Sequence, residues 1–287
     1  MRSFLLVLVC LLIVTNSFGQ DWIHNKANQQ VKKSGCLTDA LYENYKNKKP
    51  LFLKKTSSTQ VLISKKLAEL AKAGELKSTY SIPVVFHVVH NGGSANIPNS
   101  QIQAALNDLN EAFDNLGFYD PSIGVAVNID FCLAVQDEFG AFSTGITNTL
   151  NPLTDLVAET QDSLLKSLIR WEPNSYLNIY VVNSISSVSV GSGVLGYAYL
   201  PSFHGTHLDG IVIEADYTGV SQERSVVLVH EVGHYLGLNH TFFGGCTNNN
   251  CLTDGDGICD TPPDASTPDL FVVIQLTLAL PMKMILR

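Results

Sequence analysis

Three histidines and a glutamate lie close together in the stretch HEVGHYLGLNH, and their spacing could hold a metal ion. His230 and His234 are four residues apart, so a helix places both side chains on one face, about one turn apart. Glu231 is displaced around the helix and suits a general base that takes a proton from water. Gly237 can end the helix in a left-handed turn, after which His240 supplies a third nitrogen. Three neutral imidazoles with one open position describe a catalytic zinc site rather than a closed structural one.

The alternative interpretation is a buried helix that carries its histidines by chance. For the shorter pattern HExxH this alternative competes with a metal site. Requiring Gly237 and His240 as well lowers the chance of a random match by about a thousandfold, given typical usage of about 7% glycine and roughly 2% histidine. The full pattern also follows a predicted strand and lies on a predicted helix, so it predicts a zinc site.

Strands and helices alternate along the part of the chain that must position these residues. Short β-branched runs predict strands, and apolar residues at helical spacing predict helices. The strands are predicted at 81–90, 125–135, 176–185 and 209–215, and the helices at 60–77, 99–115, 161–171 and from about Glu223. The apolar face of the helix at 99–115 consists of Ile102, Ala105, Leu106, Leu109 and Phe113. This alternation indicates an α/β sheet domain.

At these residues the chain resembles a known family. The stretch HEVGHYLGLNH resembles the metzincin signature, and the stretches IPVVFHVVH, DFCLA, GYAYLP, TFFGGC and GDGICDTPP resemble the pappalysin family of metzincin endopeptidases. The resemblance extends over roughly residues 80–264. It implies an α/β (α+β) metzincin-like fold with a twisted, mostly parallel sheet, an antiparallel edge strand and an active-site helix that bears HExxH. It also implies His230, His234 and His240 as zinc ligands and Glu231 as the base.

The resemblance implies a secreted zinc endopeptidase whose partners are protein or peptide substrates. In that reaction Glu231 takes a proton from water and passes it to the leaving amine. The resemblance further implies a substrate cleft under an edge strand, which we predict to be residues 209–215, where a peptide could add as a further strand. Two alternatives stay open: a catalytically impaired fragment that binds zinc and peptide without turnover, and a zinc hydrolase of non-peptide amides.

The loop that follows the third histidine is dense in oxygen donors. Asp254, Asp256, Asp260 and Thr261 are the candidate ligands, because calcium binds several such oxygens in a flexible loop. The spacing is not that of an EF-hand. Composition alone leaves calcium and a polar, disulfide-tied loop equally open, whereas the resemblance implies calcium near this loop.

Three cysteines, Cys246, Cys251 and Cys259, lie in the same loop. They could form a second zinc site, but no CxxC pair is present. Their spacing favours disulfides, with the connectivity open.

The first residues of the chain predict an export signal. Arg2 precedes the apolar run 4–14, and the small residues Ser17 and Gly19 predict cleavage before Gln20. Export predicts a secreted, extracellular protein in an oxidising compartment, where disulfides persist. Of the six cysteines, Cys10 lies in this signal. The remainder is odd in number, so at least one thiol has another role or lacks its partner in this chain.

Residues 20–78 are predicted to be a pro-segment, and residues 79–287 the catalytic domain. The first range carries 12 lysines and 5 acidic side chains, the second 5 basic and 21 acidic ones. The two parts either attract each other or are separately solvated. Cys36, in SGCLTDAL, resembles the pro-segment cysteine that caps zinc in latent forms of these enzymes, so the pro-segment is expected to act as an intramolecular inhibitor. The alternative is a structural role for this thiol. An acidic domain repels phosphate, so nucleic acid is not expected as a partner.

The chain departs from the family pattern from about residue 268. Metzincins carry a methionine-containing turn beneath the zinc, and Met282 and Met284 lack the residues expected around such a turn. The apolar tail predicts a truncation or frameshift of the gene. The alternative, a membrane anchor, is disfavoured because Gln275, Pro281 and Lys283 interrupt the tail.

Overall fold

The computed structural model describes residues 35–49, 79–119, 121–122, 124–247, 249–250, 254–259 and 261, together with Lys65, Glu69 and Lys72. The predicted signal peptide, most of the predicted helix at 60–77 and the tail from 268 lie outside the described residues. The helices are α1 (Thr38–Lys48), α2 (Asn99–Phe113), α3 (Ala158–Leu168) and α4 (Gln222–Tyr235). The strands are β1 (Tyr80–His90), β2 (Ile129–Leu133), β3 (Ile146–Leu150), β4 (Asp155–Val157), β5 (Leu177–Val182), β6 (Ser184–Ser187), β7 (Gly191–Val194), β8 (Gly196–Ala198) and β9 (Ile211–Glu214).

A six-stranded sheet forms the centre of the fold, with the order β2-β1-β5-β9-β8 and β3 paired to β1. All pairs are parallel except the last, in which β8 runs antiparallel to β9. Every residue of β5 is buried, as expected for a parallel strand that is covered on both faces. The prediction of a mostly parallel sheet with an antiparallel edge strand is therefore confirmed.

The prediction that residues 209–215 form the edge strand is wrong. The strand in this range, β9, is paired on both sides, to β5 and to β8. The edge strand is β8, which has three residues. A strand of three residues is too short to give a period-two pattern, so sequence periodicity could not find it.

The predicted strand at 176–185 is two strands in different sheets. The strand β5 ends at Val182, and β6 begins at Ser184 in a small second sheet of order β4-β6-β7. Between them the Asn183 N–H donates to Thr154, whose carbonyl oxygen and Oγ1 both lie 2.9 Å away. This bond turns the chain out of the central sheet.

The two faces of the central sheet carry different cores. On one face α2 and α4 pack, and the apolar face predicted for α2 is fully buried there. On the other face α3 and α1 cover an aromatic cluster that contains Tyr180, Tyr197, Tyr199 and Phe203. Among the described residues, no helix combines the length and apolarity that a membrane crossing requires.

Candidate active site

Helix α4 places His230, Glu231 and His234 under the edge strand β8, and it ends as the sequence predicts. The last helical residue is Tyr235, and Gly237 has a φ of 105°. The Gly237 N–H donates to His234 O and the Leu238 N–H to Gly233 O, both at 2.9 Å. The left-handed glycine thus satisfies the last helical carbonyls and reverses the chain toward His240.

The three predicted ligands converge. The Nε2 atom of His234 lies 2.9 Å from Nε2 of His230 and 3.2 Å from Nε2 of His240. All three side chains are buried. The nitrogens of a tetrahedral zinc site are about 3.3 Å apart, because each Zn–N distance is about 2.0–2.1 Å. The spacing of the three nitrogens therefore suits one such ion.

The other ring nitrogens fix which atoms carry protons. His234 Nδ1 lies 2.6 Å from the carbonyl oxygen of Leu238, and His240 Nδ1 lies 2.7 Å from Asp39 Oδ2. Both partners are acceptors, so both Nδ1 atoms donate, and in the neutral rings both Nε2 atoms present lone pairs. Two lone pairs then face each other at 3.2 Å. A cation between the rings removes this repulsion, so the donor set fits a metal ion.

Burial also favours the neutral form of His230 and His234. Loss of water lowers the pKa of His230 well below its ordinary value, and the neighbouring histidines lower it further. Burial lowers the pKa of His234 to about 4, with His240 contributing. A neutral imidazole is the form that binds a metal.

Glu231 is fully buried beside this cluster. Burial raises the pKa of its carboxyl group to about 8, although bonds from Cys36 and Thr38 oppose the shift. Oε2 lies 3.6 Å from Cys36 Sγ and 3.3 Å from Thr38 Oγ1. Oε1 is buried and has no hydrogen-bond partner within the part of the chain that the structure describes. Held in this way, the carboxyl group is positioned to exchange a proton with a molecule at the metal.

The segment 35–49 covers the site along the edge strand. The Leu195 N–H donates to Gly35 O at 2.9 Å, and the Leu37 N–H donates to Gly196 O at 3.3 Å. Cys36 pairs with Gly196 in a parallel bridge. Cys36 Sγ and the three imidazoles form a group of potential ligand atoms that all lie within 4.8 Å of one another. Strand addition at an open edge is the way a peptide would bind there.

Thr38 and Asp39, the next residues of this segment, contact Glu231 and His240. Neither residue was identified from the sequence. The Thr38 hydroxyl accepts from Ala198 N–H at 3.1 Å and lies 3.2 Å from Ala198 O. Burial opposes ionisation of Asp39, but its bond to His240 lowers the pKa of Asp39 below the ordinary value. A carboxylate on the distal nitrogen of a metal-binding histidine fixes the ring and raises its basicity.

Helix α1 anchors the segment through apolar contacts. Leu37 and Leu41 are buried in the aromatic cluster, and the ring of Tyr45 lies 4.9 Å from that of Phe203. Leu37, Leu41 and Tyr45 are spaced four residues apart, and this spacing is the signal that could have predicted the helix. Lys46 pairs with Glu43 of the same helix, so this ion pair does not join the segment to the acidic domain.

The loop after His240 is described only in part. Asp254 Oδ2 accepts from the Asn249 and Asn250 N–H groups, both at 3.1 Å. Asp256 Oδ1 accepts from Ile258 N–H at 2.9 Å. Thr261 Oγ1 is buried and has no hydrogen-bond partner among the described residues. Asp260 and Cys251 lie outside the described residues. Cys259 is disulfide-bonded, whereas Cys246 is an exposed free thiol.

Comparisons with known proteins relate the chain to secreted peptidases. The family model described as pregnancy-associated plasma protein-A matches residues 159–275. An extracellular metalloprotease of Pyricularia oryzae is 32% identical over 212 residues, which is 69% of this chain and 63% of that protein. An extracellular metalloprotease of Colletotrichum graminicola is 31% identical over 229 residues, which is 71% of this chain and 67% of that protein. The chain spans slightly less than two thirds of the first such relatives, 62% for the Arthroderma otae protein.

Two solved structures from Tannerella forsythia are similar to the chain in both sequence and fold. Mature mirolysin in complex with a cleaved peptide is 32% identical, with a TM-score of 0.55, and the match covers 66% of this chain and 73% of that one. A promirolysin mutant is 28% identical, with a TM-score of 0.61, and the match covers 80% and 76%.

Proposed function

Because the chain belongs to the pappalysin family, we propose that it is a secreted zinc-dependent endopeptidase. The model of this family carries the description pregnancy-associated plasma protein-A. The observation that carries the proposal is the convergence of three imidazole Nε2 atoms beside the buried carboxylate of Glu231. His230, His234 and His240 would hold the ion. Protein or peptide chains would be the substrates, paired to the edge strand β8 where residues 35–38 now lie.

In the proposed mechanism Glu231 moves the proton. When bound, zinc polarises the peptide carbonyl and lowers the pKa of water at its open position. Glu231 accepts a proton from the attacking water on a carboxylate oxygen and then donates it to the leaving amine nitrogen. Burial of Glu231 supports this role, because a carboxylate without competing solvent exchanges protons with the reacting atoms rather than with bulk water.

The segment around Cys36 would hold the enzyme latent. Cys36 Sγ lies within ligand range of the three imidazoles and 3.6 Å from Glu231 Oε2. A thiolate there would occupy the fourth zinc position and exclude the water that the reaction consumes. The match to the promirolysin structure covers 80% of this chain, and it supports a pro-segment in this part of the chain.

Removal of the metal tests the proposed activity. After proteolytic removal of the pro-segment, the protein should contain about one zinc ion and cleave a fluorogenic peptide library. 1,10-Phenanthroline should abolish cleavage, and added Zn²⁺ should restore it, because the ligands remain folded around the site. Zinc without any cleavage would instead indicate an impaired fragment, and cleavage of simple amides alone would indicate a non-peptide hydrolase.

A calcium ion near the loop 254–261 is a second part of the proposal. It is supported by the buried side chains of Asp256 and Thr261 and by the Thr261 hydroxyl, for which the described residues provide no hydrogen-bond partner. In a parallel arm of the same experiment, EGTA should lower the unfolding temperature without removing zinc, because a bound ion stabilises only the folded state. An unfolding temperature that is equal with EGTA and with excess Ca²⁺ would rule calcium out.

Secretion is supported by the names of the relatives, which are extracellular metalloproteases. We propose that residues 1–19 form the signal peptide that directs it. N-terminal sequencing of the exported, unprocessed protein should begin at Gln20, and an intact N-terminus would refute the signal peptide.

A further inference from the structure

Gly196 is a buried residue of the edge strand β8, and it lies directly against Glu231. Its φ is outside the left-handed region, so the backbone alone would accept another residue. A Cβ atom at this position would lie 3.1 Å from Glu231 Cγ, 3.4 Å from Glu231 Oε1 and 3.2 Å from the carbonyl oxygen of Val212. The reason for glycine here is therefore the space beside Glu231 and β9.

The two neighbours of that space differ in their freedom to move. Val212 lies in β9, which is held in the sheet by β5 on one side and β8 on the other. Among the described residues Glu231 Oε1 has no hydrogen-bond partner, and only Oε2 is bonded, to the side chains of Cys36 and Thr38. A side chain at position 196 would therefore displace the carboxylate rather than the strand, by a few tenths of an ångström or more.

We infer that Gly196 is a positioning residue: the absence of its side chain sets where the Glu231 carboxylate lies relative to the three imidazoles. The inference rests on the proposed function in that it takes Glu231 as the base. The strand that would bind the peptide thus also positions the group that moves the proton.

The kinetic test compares G196A with a matched glycine variant. G196A should lower kcat about 10- to 100-fold and change KM by less than about 3-fold, because small displacements of a catalytic group slow the reaction without weakening substrate binding. Zinc content should stay at the parent value. The control is G124A, in the loop before β2, where a Cβ would crowd the Asn115 side chain, 2.8 Å from its Oδ1; its kcat should stay within about 2-fold of the parent. An unchanged kcat in G196A would overturn the inference.

A stability cycle tests the same contact without any turnover. In the full chain, G196A should lower the unfolding temperature by about 2–4 °C when residue 231 is Glu. In the E231A background the same substitution should cost at most about half as much, because Cγ and Oε1 of Glu231 are gone and only the contact with the Val212 carbonyl oxygen remains. Equal costs in both backgrounds would overturn the inference. If no peptide is cleaved by the parent protein, the proposed function fails, and this cycle still decides whether Gly196 positions Glu231.

Discussion

Replacing Glu231 by alanine is expected to lower kcat/KM for peptide cleavage by about 10³-fold or more while zinc stays bound. General acid–base catalysis by a positioned side chain contributes typically about 10² to 10⁴ in rate, and Glu231 is the carboxylate that the helix presents beside the three imidazoles. The ligands themselves are untouched, so metal analysis should give the parent stoichiometry. The measurement is cleavage of a fluorogenic peptide by the processed variant and the processed parent.

The matched control for this substitution is E231Q, which keeps the shape of the side chain but cannot take up a proton at neutral pH. It should lose activity as E231A does. Both variants should unfold at or above the parent temperature. One oxygen of the buried carboxyl group has no partner among the described residues, and removing the group relieves an unfavourable burial. Activity within 10-fold of the parent in either variant would exclude Glu231 as the base.

The convergence of the three histidines could be predicted from sequence because the information is local. The spacing of His230 and His234 places both on one face of the helix, and Gly237 predicts where the chain turns. One helix and one turn therefore determine the position of His240. The structure brings these residues together through contacts within a short stretch. No knowledge of the sheet is needed for that prediction.

The edge strand could not be predicted in the same way, because strand order is a property of distant contacts. Residues 209–215 show the clearer strand pattern, yet β9 is interior and the three-residue β8 forms the edge. The partner of β8 comes from residues 35–38, about 160 positions earlier in the chain. The contact between Asp39 and His240 has the same origin. Such contacts become visible only when the packing of the domain is known.

Replacing Cys36 by serine is expected to release part of the latent activity. The unprocessed C36S protein should cleave peptide at least about 10-fold faster than the unprocessed parent, because a hydroxyl is a much weaker ligand for zinc than a thiolate. It should remain slower than the processed enzyme. The backbone bonds to β8, the Thr38 hydroxyl and the Asp39–His240 pair still hold the segment in place.

The matched control is C132S, which removes an exposed thiol on β2. It should leave the unprocessed protein as inactive as the parent. A thiol reagent provides a second readout. In the zinc-loaded, unprocessed parent, Cys132 should react at once and Cys36 only after a chelator is added, since a metal-bound thiolate is protected from the reagent. If unprocessed C36S is no more active than its parent, or if Cys36 reacts as fast as Cys132 in the zinc-loaded form, Cys36 does not cap the metal, and latency then depends on the strand contacts of residues 35–39 alone.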